Sequence, residues 1–264
     1  MIRLVLAGAT GRMGASIVRL LPSFPRIKLV GAVASERSAA LRRDVAAPER
    51  ESGVVVTAAL PPLLDGADLV IDFSQPDAAA ANLAACVAAR VPLLLGTTGL
   101  PPELAAPLAA AAEHIPLLVA ANTSAGVTLL LQLVRQAAQT LSAEFDIEIV
   151  ETHHRHKRDA PSGTALALGR AAAAGRGVHF EEAAVLPRDS GTRVAGQIGF
   201  AVVRGGDVVG EHEVRFLGHG ETLTLRHEAT ERSIFARGAL QAGQWLVGRP
   251  AGRYDMEDIT FNNN

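Results

Sequence analysis

The hydrophobic positions in the first half of the chain form short apolar runs separated by longer segments of helical periodicity. The runs typical of buried strands cover residues 2–7, 28–34, 54–56, 67–73, 91–95 and 115–119. Between them lie an alanine-rich helix at 77–90, with Pro76 near its first turn, and a helix that begins near Pro101. Strands that alternate with helices predict an α/β fold with a Rossmann-like, doubly wound parallel sheet.

The second half has a different pattern. After a helical segment at 126–141, residues 144–151 alternate polar and apolar side chains, as a half-exposed strand does. Three further strand-like runs, 193–203, 207–217 and 221–228, are joined by hairpin-like turns at 204–207 and 218–220. The prediction is a smaller α+β domain with a mixed, mostly antiparallel, four-stranded open sheet. A sheet this small needs cover from a helix or another subunit, so we expect oligomerisation through it.

These patterns divide the chain into two expected domains. Residues 1–124 form a dinucleotide-binding domain, and residues 125–231 form a substrate-binding and oligomerisation domain. The tail contains a helical segment at 233–247 with the single tryptophan of the chain, Trp245. We expect this tail, residues 232–264, to return to the first domain and complete it.

Composition narrows the class of protein. The chain has 264 residues, 48% of them hydrophobic, with a formal net charge of −2, which argues against a nucleic-acid or membrane surface as its main partner. A single cysteine, Cys86, excludes an intramolecular disulfide and fits a reducing compartment. The first apolar run is too short for a signal peptide or a membrane span. We therefore expect a cytoplasmic protein.

A glycine-rich turn follows the first predicted strand. Gly8, Gly11 and Gly14 lead into a helical pattern at 15–21. In this context glycines let the backbone approach a pyrophosphate, and the helix N-terminus offers N–H groups to it. The spacing is G-x-x-G-x-x-G instead of G-x-G-x-x-G, so an ordinary glycine turn is the alternative.

Other polar residues at predicted strand ends extend the candidate nucleotide site. Glu36 lies where an acidic residue is expected to bind ribose hydroxyls, and the adjacent Arg37 suits a 2′-phosphate. Together they suggest that both NADH and NADPH are accepted, and solvated loop charges are the alternative. Residues 73–74, 96–98 and Asn122 also lie at the carboxyl ends of predicted strands, beyond which ligands bind in such sheets.

Residues 151–164 concentrate the remaining chemistry. His153, His154 and His156, three of the eight histidines, precede Lys157, one of only two lysines among 25 basic residues. Because arginine serves elsewhere, this lysine suggests that a titratable ammonium is needed, with chance as the alternative.

A helix is predicted at 164–174, just after this segment. Asp159 and Ser162 are suitable capping residues, and Pro161 suits a first turn. The N–H groups at such a helix end bind anions. Three interpretations of the segment compete: a histidine metal site, a solvated basic loop, or a catalytic acid with substrate-binding cations. Histidine titrates near neutral pH, and beside a nucleotide-binding domain the third interpretation is favoured.

Three motifs resemble one family. They are Gly-Ala-Thr-Gly-Arg-Met-Gly at 8–14, Gly-Thr-Thr-Gly at 96–99, and the long and specific Glu-Thr-His-His-Arg-His-Lys-Arg-Asp-Ala-Pro-Ser-Gly-Thr-Ala at 151–165. Together they resemble the 4-hydroxy-tetrahydrodipicolinate reductases, the dihydrodipicolinate reductases of lysine and diaminopimelate biosynthesis. The resemblance covers essentially the whole chain.

The resemblance implies a role for each candidate residue. It makes His153 the proton donor and Lys157 its catalytic partner. It assigns the substrate carboxylates to His154, Ser162, Gly163 and Thr164. It assigns the cofactor to Gly8, Ala9, Thr10, Gly11, Arg12, Met13, Glu36, Arg37, Gly96, Thr97, Thr98, Ala120, Ala121, Asn122 and Thr123. Thr123 departs from the family, because well-known members carry an aromatic residue there.

The implied protein is a cytoplasmic homotetramer that uses NADH, NADPH or both. It reduces a small cyclic dicarboxylate with loss of water and needs no metal. Two alternatives are a related reductase of another small carbonyl or imine acid, similar to an aspartate dehydrogenase, and a non-catalytic nucleotide sensor. The sensor has no use for His153 and Lys157.

Overall fold

The computed structural model describes residues 1–46, 51–186 and 191–261, which divide into two compact units. The first unit comprises Met1–Ser124 together with the C-terminal segment that begins at Ser233. The second comprises Ala125–Arg232. No helix among the described residues combines the length and apolar character needed to cross a lipid bilayer.

The elements are numbered along the chain. The strands are β1 (Ile2–Ala7), β2 (Ile27–Val33), β3 (Val56–Thr57), β4 (Leu69–Asp72), β5 (Leu93–Leu95), β6 (Pro116–Val119), β7 (Asp146–His153), β8 (Ala184–Val185), β9 (Ile198–Arg204), β10 (Gly210–Leu217), β11 (Thr222–Ala229) and β12 (Gly252–Tyr254). The helices are α1 (Arg12–Leu20), α2 (Pro76–Ala89), α3 (Ala105–Ala112), α4 (Ala125–Thr140), α5 (Gly163–Arg176), α6 (Phe180–Ala183), α7 (Ser233–Leu246) and α8 (Met256–Phe261).

The first unit is built on a parallel sheet of seven strands in the order β12-β6-β5-β4-β1-β2-β3. Alternate residues of β1 enter different apolar clusters. Leu4 and Leu6 belong to the cluster that includes residues of α1 and α7, whereas Val5 belongs to the cluster that includes residues of α2 and α3. A central strand buried on both faces is what a doubly wound sheet requires, and the predicted fold class is confirmed.

Two short strands at the edges of this sheet differ from the prediction. The strand expected at 54–56 is β3, and only Val56 is shared between the two. The edge strand β12 was not predicted, yet it pairs in parallel with β6. Both are too short to show a periodic pattern, and β12 consists of Gly252, Arg253 and Tyr254, which do not form an apolar run.

The second unit contains a mixed sheet of five strands in the order β11-β10-β7-β9-β8. The prediction of four strands missed β8, which has two residues. It also overstated the antiparallel character: β10 pairs antiparallel with β7 and β11, but β9 pairs in parallel with β7 and β8. The long connection through α5 and α6 returns the chain to start β9 beside β7 in the same direction.

One of the two predicted hairpin turns is not a hairpin. Residues 204–207 join β9 to β10, but β7 lies between those strands. The turn therefore crosses the end of β7, where the backbone N–H of Gly205 donates to the carbonyl of His153 at 3.0 Å. The turn after β10 does form a hairpin with β11, closed by the N–H of Gly218 on the carbonyl of Glu221 at 2.9 Å.

Helices α4 and α5 supply apolar residues to the core of the second unit. Leu130, Val134 and Leu168 join sheet residues such as Ile149 and Phe216 in one buried cluster. Helix α5 begins one residue earlier than predicted because Ser162 caps it: its Oγ accepts from the N–H of Ala165 at 3.2 Å.

Helix α7 packs so closely in the first unit that one glycine is required. A Cβ built on Gly238 would lie 1.7 Å from the carbonyl oxygen of Thr123. The Thr123 Oγ1 in turn donates to the carbonyl of Phe235 at 2.6 Å. This contact ties the end of the segment after β6 to α7 and fixes the position of Thr123.

We expect Gly238→Ala to lower the free energy of unfolding by about 1–3 kcal/mol, because the added methyl group must push α7 away from the Thr123 carbonyl. Urea unfolding followed by circular dichroism measures the loss. Gln241→Ala, an exposed change in the same helix, is the matched control and should stay within about 0.5 kcal/mol of the native protein. Equal midpoints for the two variants would contradict the close approach.

Candidate active site

The last residues of β7 place ionisable groups where a core strand normally has aliphatic ones. Along β7 the buried positions are Ile147, Ile149, Glu151 and His153. Side chains two apart on a strand share a face, so the carboxylate and the imidazole continue the apolar row. Burying a carboxylate is costly unless it is paired, and its partners therefore define the site.

Glu151 is 1% exposed and is bound from several elements. Its two carboxylate oxygens accept from the Nη1 and Nη2 of Arg204 at the end of β9, both at 2.8 Å. Its Oε1 also accepts from the backbone N–H of Ser162 at 2.9 Å. Its Oε2 is in hydrogen-bond contact with the Nδ1 of His153. One carboxylate thus joins the predicted proton donor to the start of α5.

These partners decide the charge of Glu151. Burial opposes its ionisation and is the largest single influence. Hydrogen bonds from His153, Arg204 and the Ser162 N–H together outweigh burial and lower the pKa of Glu151 to about 2. The carboxylate is therefore ionised at neutral pH and acts only as an acceptor.

His212 occupies the neighbouring strand. It lies opposite Glu151 in the β10–β7 register and its ring meets that of His153 edge to face, with centroids 5.0 Å apart. Its Nε2 is 3.0 Å from the Oγ of Ser162. Burial first, and the adjacent His153 second, lower the pKa of His212 to about 4. His212 is therefore a neutral ring at neutral pH, and it braces the residue that caps α5.

The segment after β7 holds the other predicted cations. His154 is half-buried, and its Nδ1 accepts from the N–H of His156 at 3.2 Å. Burial and then the charge of Arg232 lower the pKa of His154. The Nζ of Lys157 forms an ion pair with the Oδ2 of Asp159 at 2.9 Å, and the Asp159 side chain is 57% exposed. The Lys157 ammonium therefore has an exposed carboxylate as its partner.

The predicted anion site is the first turn of α5. Ser162 is buried, whereas Gly163 is exposed and a Cβ built on it meets nothing within 4 Å. Thr164 follows, half-buried. The open position at Gly163 and the positive end of the helix dipole suit a carboxylate ligand. In the described parts of the chain, no group of three or more His, Cys, Asp or Glu side chains is arranged to hold a metal ion.

The glycine turn of the first unit is tightly built. Gly8 has a φ of +75°, and a Cβ on it would lie 2.3 Å from the carbonyl oxygen of Phe73. A Cβ on Gly14 would lie 2.3 Å from the Gly8 carbonyl oxygen. Gly11 precedes α1 without a capping side chain, and the first turn of α1 contains no acidic residue. This helix end fits a pyrophosphate, because neither a capping side chain nor a first-turn carboxylate of the described residues competes for its N–H groups.

The predicted nucleotide contacts lie at or after the carboxyl ends of β1, β2, β5 and β6. Thr10, Gly11, Arg12, Glu36, Arg37, Thr98 and Ala121 are exposed; Gly8, Met13 and Asn122 are half-buried; Ala9, Gly96, Thr97, Ala120 and Thr123 are buried. The Thr123 hydroxyl points toward α7 because it donates to the Phe235 carbonyl, so this hydroxyl makes a structural contact.

Sequence reasoning missed a second layer around these residues. In the first unit it missed the buried Asp72, which accepts from Ser74 and Asn82; Phe73, already expected at this strand end, packs against Gly96, where a Cβ would lie 2.2 Å from its ring. In the second unit it missed the partners Glu151, Arg204 and His212. The two-residue spacing of Glu151 and His153 was a usable signal. The roles of Arg204 and His212 depend on strand pairing, which the local pattern does not show.

Models of one protein family match nearly the whole chain. The model described as dihydrodipicolinate reductase, N-terminus, matches residues 2–123, and that described as dihydrodipicolinate reductase, C-terminus, matches residues 126–260. Relatives named 4-hydroxy-tetrahydrodipicolinate reductase include one from Anaeromyxobacter sp. (strain Fw109-5), 48% identical over 98% of this chain and 97% of its own. Another, from Ruegeria pomeroyi, is 45% identical, with 97% of each chain covered.

Solved structures agree. A dipicolinate-bound dihydrodipicolinate reductase from Paenisporosarcina sp. TG-14 superposes with a TM-score of 0.80 at 26% identity, covering 98% of this chain and 99% of that one. An amine dehydrogenase from Mycobacterium smegmatis, with a TM-score of 0.61 at 16% identity over 97% of this chain and 95% of that one, shares the fold alone. The chain belongs to the dihydrodipicolinate reductase family of NAD(P)H-dependent oxidoreductases, as its three motifs predicted.

Proposed function

We propose that this protein reduces 4-hydroxy-tetrahydrodipicolinate to tetrahydrodipicolinate, with loss of water, at the expense of NADH or NADPH. This reaction belongs to lysine and diaminopimelate biosynthesis. The observation that carries the proposal is the arrangement around Glu151, which binds both His153 and the N–H of Ser162. A proton donor and an anion-binding helix end are thereby fixed to one group. The names of the relatives and the dipicolinate bound to the Paenisporosarcina enzyme support a small dicarboxylate as the substrate class.

The second unit is proposed to bind the substrate. The substrate is a dianion, and the first turn of α5 at Ser162, Gly163 and Thr164 offers N–H groups to one carboxylate. His154 and Lys157 lie just before that turn and add polar and cationic contacts. Because the Asp159 partner of Lys157 is exposed, a substrate carboxylate can replace it without leaving a buried charge unpaired.

The first unit is proposed to bind the cofactor. The residues that would hold it are the glycine turn Gly8–Met13, the ribose-binding pair Glu36 and Arg37, Gly96–Thr98 and Ala120–Thr123. When bound, the reduced nicotinamide supplies a hydride to the substrate. His153 donates the proton that balances the charge on the substrate ring, and Lys157 together with the α5 dipole stabilises negative charge as it develops.

Location and assembly complete the proposal. We expect a cytoplasmic homotetramer joined through the five-stranded sheet of the second unit. Val203 supports an assembly surface: it pairs with Thr152 on the face of the sheet opposite Glu151 and is 47% exposed.

A steady-state assay with both cofactors tests the activity. The protein should oxidise NADH and NADPH only when 4-hydroxy-tetrahydrodipicolinate is present. The oxidation is measured as the loss of absorbance of the reduced nicotinamide. The comparison substrates are oxaloacetate with ammonia and other small oxo acids, which represent the related-reductase alternative. Faster turnover of an oxo acid than of the cyclic dicarboxylate would overturn the proposal, and nucleotide binding without any turnover would support a sensor.

The proton donor is tested by His153→Ala. We expect kcat to fall by about 10²–10⁴-fold, the usual contribution of general acid catalysis, because no other group then donates at that position. The dissociation constant for NADH, measured by fluorescence titration, should stay close to the native value. Weaker NADH binding with an intact kcat would remove His153 from the catalytic role.

The ammonium is tested by Lys157→Arg. This change keeps the positive charge and the ability to pair with Asp159, but it replaces a compact point charge by a planar fork. We expect kcat/KM for the cyclic dicarboxylate to fall by at least about 10-fold. If the variant keeps full activity, the charge alone is needed and the scarcity of lysine in the chain carries no functional meaning.

A further inference from the structure

The carboxylate of Glu151 is surrounded by N–H groups. Arg204 directs two of them at its two oxygens, the Ser162 backbone directs a third, and the ring nitrogen Nδ1 of His153 occupies the remaining position. The bidentate arginine and the ionised state leave the carboxylate without a proton to donate. The hydrogen between Glu151 and His153 must therefore belong to Nδ1 of the imidazole.

This assignment fixes the role of the other ring nitrogen. With Nδ1–H committed to Glu151, only Nε2 can give or receive a proton. On that side the ring lies close to the backbone of β10: a Cβ built on Gly210 would be 2.9 Å from Nε2. Any residue larger than glycine at 210 would therefore crowd the nitrogen that exchanges the proton.

The strand order supplies a rigid support for Glu151. β9 is the parallel neighbour of β7, and its register places Arg204 opposite His153. The guanidinium forms two parallel hydrogen bonds with the carboxylate and also donates to the carbonyl of Asp159 at 2.7 Å. Because the guanidinium is itself held by the Asp159 carbonyl, it fixes the position of the Glu151 carboxylate and stabilises its negative charge.

We propose that Glu151 is the positioning residue of the reaction: held by Arg204 and the Ser162 N–H, it keeps His153 in the Nδ1–H tautomer, so that Nε2 transfers the proton. This inference rests on the proposed function for the identity of the reaction. The tautomer itself is a property of the protein without substrate.

A purely structural ion pair is the competing explanation, and β7 provides a matched comparison. Glu148 lies on the opposite face of the same strand, three residues before Glu151, and pairs with Arg193. It is a partly buried strand carboxylate with an arginine partner, but its side chain points to the face of β7 away from His153. If Glu151 only stabilises the sheet, the two carboxylates should behave alike.

The first measurement uses the native protein. Two-dimensional ¹⁵N–¹H spectra of the histidine rings, with His153 assigned by its loss in His153→Ala, report which nitrogen carries the proton in the neutral ring. We expect Nδ1–H for His153. A neutral Nε2–H tautomer overturns the proposal, whatever the substrate of the enzyme is.

The second measurement compares Glu151→Gln with Glu148→Gln. The glutamine amide has one acceptor oxygen, whereas the carboxylate offers two to the surrounding N–H groups. When the NH₂ group of the amide faces His153, it donates to the Nδ1 lone pair and favours the Nε2–H tautomer. We expect this switch in the spectra and a fall in kcat of about 10²-fold or more, with KM changed only a few-fold, because orientation of a catalytic imidazole by a carboxylate carries effects of this order. Glu148→Gln should keep both the native tautomer and the native kcat.

Two outcomes of that comparison overturn the proposal: a native kcat in Glu151→Gln, or equal losses of kcat in the two variants. If Glu151→Gln does not fold, Arg204→Lys replaces it. Lysine keeps the charge but loses the fork, so the expected result is a lower kcat with the Nδ1–H signal broadened or shifted, and an unchanged kcat again overturns the proposal. A native protein that is inactive with the cyclic dicarboxylate would instead refute the proposed function and leave the tautomer result standing.

Discussion

A buried carboxylate imposes the main constraint on the second unit. Desolvation opposes the ionisation of Glu151, and only several converging N–H groups make its charge tolerable. Those groups come from β7 itself, from β9 and from the start of α5. The position of each element is therefore constrained by the same pair of oxygens, and displacing any one of them leaves a buried charge with an incomplete set of partners.

This constraint explains the mixed sheet. A hairpin between β9 and β10 would be the simplest connection, but β7 lies between them. With this order the parallel neighbour carries Arg204 to Glu151, and the antiparallel neighbour carries His212 to Ser162. The crossing turn also hydrogen-bonds the backbone of His153. A central strand with polar partners on both sides holds the end of β7 more firmly than an edge strand would.

The sequence predicted what is local and missed what is paired across the sheet. The glycine turn at Gly8, the cap of α5 and the alternation along β7 are each formed by residues close together in the sequence, and the structure contains each of them. Arg204 and Glu151 are 53 residues apart, and Ser162 and His212 are 50 apart, so neither contact leaves a periodic signal. The two-residue strand β8 and the short edge strand β12 were missed for a related reason, since pairing with a neighbour defines them.

The two kinds of cation in the site have different physical consequences. Arg204 makes several hydrogen bonds to Glu151 and to the backbone, and a guanidinium held in this way cannot leave without exposing a buried carboxylate. Lys157 makes one ion pair with a carboxylate that is mostly in water, and exchanging such a partner costs little. The site is thus rigid around His153, the proposed proton donor, and exchangeable at Lys157, where the proposal places a substrate carboxylate. If the proposed function holds, it is that division, more than the number of histidines, that suits residues 151–164 to repeated turnover.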